Sequence, residues 1–211
     1  EKKKNIYVTG AILLVVIMYA AEITGLYLET TQIGFQKLVP YLILLSVALL
    51  LCFHQPWNRN EVVVLLVTLL GGFQASLLGV NTGKIFGPYS YGASLGWQVV
   101  HTPVIMGFYW LLLIYTVQVT IGKFNIRPIW NSVAGAALIA ALDYIIEPVA
   151  MKFDFWQWQD GIIPVQNYVA WASVSFLILW YANRINPKKE NKLAIPLLII
   201  ESIFFLTLNI I

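Results

Sequence analysis

Asp143 and Glu147 stand four positions apart in an otherwise apolar run and form the strongest chemical signal in the chain. On a helix this spacing puts both carboxyls on one face, about 6 Å apart along the axis. Two carboxylates so close in a poorly solvated site resist joint ionisation, so one keeps its proton and becomes a general acid. Glu22 is a third acid in an apolar run and a candidate partner for either. Aromatic residues accompany the pair, with Trp156 and Trp158 after it and Tyr89 and Tyr91 before it, and Trp97, Trp110 and Trp171 in the same region. Aromatic faces stabilise cations, which suits a carbocation made by protonating an alkene. Plainer alternatives are a structural hydrogen-bonded pair between helices, a helix end at Glu147-Pro148, and an interfacial belt of Trp and Tyr.

The elements that must position these residues follow from composition. Of 211 residues, 59% are hydrophobic and only 11% charged, whereas a soluble domain carries about a quarter charged residues. The apolar residues come in runs of roughly 17–25, the length that crosses about 30 Å of hydrocarbon as a helix. The sequence therefore predicts an all-α, polytopic transmembrane bundle forming a single domain over residues 1–211. Seven spans are predicted, at about Ile6–Leu28, Lys37–Phe53, Val62–Val80, Pro103–Ile121, Ile129–Pro148, Pro164–Tyr181 and Leu193–Ile210. Turn signals such as Gly122-Lys123-Phe124-Asn125 and Asn186-Pro187-Lys188-Lys189 separate them. The first run follows Lys2, Lys3 and Lys4 but is longer than a signal-peptide core and contains Glu22, so it reads as a span. Cys52, the single cysteine, excludes an internal disulfide and reads as a packing residue.

Charge sets the orientation. The N-terminus and the loops after spans two, four and six hold ten Lys and Arg: Lys2, Lys3, Lys4, Arg59, Lys123, Arg127, Arg184, Lys188, Lys189 and Lys192. The other side holds three, Lys37, Lys84 and Lys152. Positive residues favour the cytoplasm, so the N-terminus is predicted inside. Glu22, Gln74, Asn81, His101, Asp143, Glu147 and Asn167 then all fall in the outer part of their spans. Ionisable residues at membrane depth invite a functional reading. Residues 81–102 and 149–163 are long connections on that same outer side, and long loops in compact proteins often carry function. The net charge of +3 lies in loops and speaks for topology, not for nucleic acid.

The inventory also excludes chemistry. Two histidines, His54 and His101, are too few for a membrane di-iron site or an iron oxygenase. No Gly-rich phosphate loop, dinucleotide fingerprint or nucleophile elbow is present. Lys192 only precedes the last run, so a retinal Schiff base is not supported, and Glu201 falls near the middle of that run. What remains is acid–base chemistry with neither metal nor cofactor, or transport.

Phe86-Gly87-Pro88-Tyr89-Ser90-Tyr91, then Leu95-Gly96 and Pro103, resembles a signature of the integral-membrane carotenoid hydratase family, the CruF type. Asp143, Glu147-Pro148, Trp156-x-Trp158, Gly161, Pro164, Asn167 and Trp171 resemble its second signature. Together they cover a motif-bearing core of about residues 79–171. The family usually has Asp-Pro where this chain has Glu147-Pro148. It also shows Gly-Val-Pro and Pro-Leu-Ala-Trp stretches where this chain reads Val100-His101-Thr102-Pro103 and Met106-Gly107-Phe108-Tyr109-Trp110.

The resemblance implies a hydro-lyase that adds water across the terminal double bond of an acyclic carotenoid end, of γ-carotene, lycopene or bacterioruberin-precursor type, giving a tertiary hydroxyl. It implies no cofactor, a bacterial or archaeal cytoplasmic membrane, and contact with lipid and with other carotenoid-pathway enzymes. Asp143, Glu147 and Glu22 are the expected acids. Tyr89, Tyr91, His101, Trp156, Trp158, Asn167, Trp171 and Asn81 are expected to line the substrate. Rival readings are an integral-membrane lycopene cyclase, a proton-coupled small transporter and a non-catalytic carotenoid-binding protein.

Overall fold

The computed structural model describes residues 2–124, 126–185 and 190–211, and for residues 2–4 the backbone alone. The helices are α1 (Lys2–Tyr27), a short α2 (Gln32–Gln36), α3 (Val39–Phe53), α4 (Arg59–Thr82), α5 (Ile105–Gly122), α6 (Pro128–Lys152), α7 (Val165–Ile185) and α8 (Ala194–Ile210). All but α2 coincide with a predicted run to within a few residues. Among the described residues, four stretches, Asn5–Tyr27 and the whole of α4, α5 and α6, are long and apolar enough to cross a membrane, while α3 and α8 are shorter apolar helices. Large apolar side chains such as Ile6, Leu13, Ile17, Leu66 and Leu70 face outward. A soluble protein does not expose apolar surface on this scale, and membrane association follows.

Cations that set the predicted orientation lie partly beyond this description: Lys188, Lys189 and the side chains of Lys2, Lys3 and Lys4 are outside the described residues, as are the turn residues Asn125, Asn186 and Pro187. Cys52 is exposed rather than packed. The helix does not end at Pro148 but runs on to Lys152. Val149 and Ala150 are fully buried, and their carbonyls accept the amides of Phe153 and Phe155 at 3.0 and 2.8 Å. Burial and a satisfied end outweigh the one hydrogen bond that a proline removes.

Apolar all round, α5 is buried on every side, as such a helix must be, and packs against α3, α4, α6, α7 and α8. Its approach to α4 depends on Gly72. A Cβ there would stand 2.3 Å from the Cβ of Trp110, which is fully buried. Gly72→Ala is therefore expected to destabilise by about 1–3 kcal/mol, the usual result of overpacking, as a lowered thermal midpoint of the purified protein will show.

Each end of the bundle has its own polar closure. At one, His54 Nδ1 meets the Tyr115 hydroxyl at 2.6 Å, Asn191 donates to that hydroxyl and to the Leu50 carbonyl, and Asn183 donates to Ser132. At the other, the two long connections fold into a cap. Strand β1 (Tyr89–Tyr91) pairs antiparallel with β4 (Trp156–Trp158), and β2 (Gln98–Val99) pairs with β3 (Thr102–Pro103). These strands were not expected of an all-α chain.

Candidate active site

The cap positions the aromatics. Tyr89 pairs with Trp158 and Tyr91 with Trp156 across the β1–β4 ladder. Side chains alternate faces along a strand, so residues two apart share one. Both Y-x-Y and W-x-W thus turn onto the helix bundle, where Trp156 and Trp158 are buried. Ring centroids lie 5.1 Å apart for Tyr89 and Trp158 and 6.3 Å for Tyr91 and Trp156. The two tyrosine hydroxyls are 3.1 Å apart. Burial pushes the Tyr91 hydroxyl up to about 12 and that of Tyr89 higher still, with Tyr91 adding to it, so both are neutral phenols at physiological pH. The cap sits close on Asp154: a Cβ on Gly92 would lie 2.0 Å from that residue's carbonyl oxygen.

Under this ladder lie the two acids of α6. Asp143, Glu147 and Asn167 are each 1% exposed. The Asn167 amide nitrogen donates to Asp143 Oδ2 at 2.7 Å and to Glu147 Oε1 at 2.8 Å, joining α6 to the first turn of α7. Glu147 Oε2 accepts both indole N–H groups, Trp156 at 2.9 Å and Trp158 at 2.6 Å. Glu147 thus receives three N–H donors, whereas Asp143 receives one and its Oδ1 has no partner among the described residues. Hydrogen bonds to a charged acceptor are the strong ones, and this arrangement suits a carboxylate at Glu147 beside a carboxyl at Asp143.

A cavity of about 20 Å³, room for one water molecule, opens between these groups. Ser76, Tyr91, Met106, Glu147, Asn167 and Trp171 are among its walls. Trp171 stacks on Trp110 at 4.0 Å with 16° between the planes, and Trp110 in turn donates to Ser76 Oγ at 3.0 Å. A second cavity of about 20 Å³ adjoins it, bounded by Leu95, Met106, Tyr109, Ile146 and Trp156. Asp143 precedes Ile146 by three positions and so shares its face of α6.

Asp143, Glu147, Tyr89, Tyr91, Trp156, Trp158, Asn167 and Trp171 are therefore brought together. Five other positions are not. Gln74 is exposed, as is Trp97. Asn81 and His101 are exposed and bond to each other at 3.2 Å, with Asn81 also donating to the Val100 carbonyl at 2.8 Å. Val100 and His101 have φ of 48° and 60°, a two-residue turn that normally needs Asn or Gly. Asn81 holds this strained turn in place. Glu22 is buried on α1, and its Oε1 has no partner among the described residues. It belongs to a different group, within electrostatic reach of Tyr19, as is Glu201 of α8.

Ser76, Phe86 and Met106 line the cavity, and Tyr109 lies between the α6 acids and Glu201. Phe86 opens the first of the two signatures in the sequence, whereas Ser76, Met106 and Tyr109 look like ordinary helix packing. The strand period in Y-x-Y and W-x-W was a usable signal for the ladder. In comparison with known families, residues 36–211 match the model described as "Carotenoid biosynthesis protein". No curated protein and no solved structure matches the chain.

Proposed function

The chain belongs to the carotenoid biosynthesis protein family, and from that premise we propose that it hydrates the terminal double bond of an acyclic carotenoid end while spanning the membrane seven times, N-terminus inside. The observation that carries this reading is the water-sized cavity between a donor-rich carboxylate and aromatic rings, with a second acid alongside. Asp143 supplies the proton. Its O–H bond breaks as a C–H bond forms at the terminal alkene, leaving a tertiary cation on the neighbouring carbon.

Glu147, held ionised by three N–H donors, faces that cation across the cavity, and the rings of Trp171 and Tyr91 flank it. A water molecule beside Glu147 and Asn167 attacks, forming the C–O bond, and gives its proton to Glu147. Transfer of that proton back to Asp143 closes the cycle. Electrostatic stabilisation by preset groups and general acid catalysis supply the acceleration. Glu22, Asn81 and His101 have no part in these steps.

Co-expression in cells that accumulate lycopene or γ-carotene tests the reaction. The expected product is a pigment heavier by one water and bearing a tertiary hydroxyl, seen by chromatography with mass detection. A cyclised pigment of unchanged mass means capture of the cation by an internal double bond and overturns the hydration reading, as does unaltered pigment.

A further inference from the structure

Three cavities lie in a row from the outer surface of α3 to the acids. The first is an open groove of about 400 Å³ between α3, α5 and the single turn Ala93–Leu95, with Tyr41, Leu44, Trp97 and Phe108 along it. Leu95 lies on the wall it shares with the small cavity next to Tyr109. Met106 and Trp156 form the wall between that cavity and the water-sized one at Glu147. Leu95 and Met106 are 4% and 3% exposed, Leu95 on the outer wall and Met106, beside Trp156, on the inner one. Methionine is unbranched and adapts its rotamer at little cost, so Met106 is the side chain of the inner wall best able to move aside.

We propose that the groove holds the hydrocarbon chain of an acyclic isoprenoid polyene, and that Leu95 and Met106 are the gate through which its end group alone reaches the acids. The inference rests on the hydration reading for its chemistry, and on the shared walls for its path. The groove has the character such a ligand requires. Tyr41 and Trp97 are 66% and 77% exposed along it, offering apolar rings to a neighbouring hydrocarbon, and among the described residues the one charge on its wall is Lys37. Continuity with the reaction cavity distinguishes it from the groove of about 480 Å³ between α6 and α7, lined by Val133, Ala137, Ser173 and Leu177, which shares no wall residue with that cavity.

The test uses full-length protein from polyene-producing cells and reads two quantities, the hydrated fraction of pigment and the pigment retained per purified chain. Leu95→Trp plugs the gate and is expected to lower both at least 10-fold. Ala93→Trp fills the groove from an exposed position, where folding is undisturbed, and is expected to do the same. Ala137→Trp, filling the other groove, is expected to leave both unchanged. Wild-type values in Ala93→Trp, or a loss in Ala137→Trp alone, overturn the path. If the wild type retains polyene without hydrating it, the hydration reading fails but retention still decides the groove: loss in Ala93→Trp supports it, and equal retention overturns it.

Discussion

Asp143→Asn is expected to lower hydration on the order of 10²–10⁴-fold, the usual contribution of a general acid, while the protein accumulates and purifies normally. The substitution keeps the size of the side chain and keeps an oxygen to accept the Asn167 amide, so it removes the proton and little else. Glu147→Gln is expected to be as harmful to turnover and worse for stability. A neutral amide oxygen accepts the two indole N–H groups more weakly than a carboxylate does, and its own NH₂ would meet the Asn167 NH₂. Glu22→Gln is the control, since its carboxyl groups with Tyr19 rather than with the α6 acids, and it is expected to keep wild-type turnover. Hydrated pigment per chain, measured in the same cells for all three, checks the set. Normal hydration by Asp143→Asn removes that residue from the role of donor.

Asn167→Leu is expected to have the largest effect on the folded protein. One amide nitrogen satisfies an oxygen of each acid, and both acids are 1% exposed. Removing it leaves two buried acceptors without that donor, at about 1–3 kcal/mol for each. It also frees α7 from α6 at the capped end, so turnover falls with stability. Adding Asp143→Leu to Asn167→Leu is expected to recover part of the stability without any turnover, because one orphaned acceptor has gone with its donor. Thermal midpoints in detergent for the single and double variants measure this. Equal midpoints for wild type and Asn167→Leu would show that the amide bridge carries no stability.

The helices were legible because hydrophobic length is a coarse and robust signal, and because α1, α4, α5 and α6 each carry a long, mostly apolar run. The acid pair was legible for a related reason: i and i+4 share a face whatever the helix packs against. Depth alone misled at Gln74, Asn81 and His101. A residue's level along a helix says nothing about its azimuth: Gln74 and Asn81 turn outward on α4, while His101 is exposed in the turn between β2 and β3. Proline at 148 looked like a stop because local rules favour one, yet tertiary burial of Val149 and Ala150 overrides them. The β1–β4 ladder joins residues 69 apart at Tyr89 and Trp158, and long-range pairing of this kind leaves no trace in either segment except its alternation. Ser76 and Met106 enter the site through packing partners supplied by other helices, which no local pattern encodes.

The shared oxygen of Glu147 has a spectroscopic consequence. Two of the eight tryptophans point their N–H bonds at one carboxylate oxygen, so their excited states sense its charge directly. Emission and near-ultraviolet dichroism of the purified protein should therefore change when Glu147 is neutralised by substitution. A polyene drawn in beside the same indoles should quench them by energy transfer, giving an intrinsic optical readout of occupancy that needs no label and no turnover.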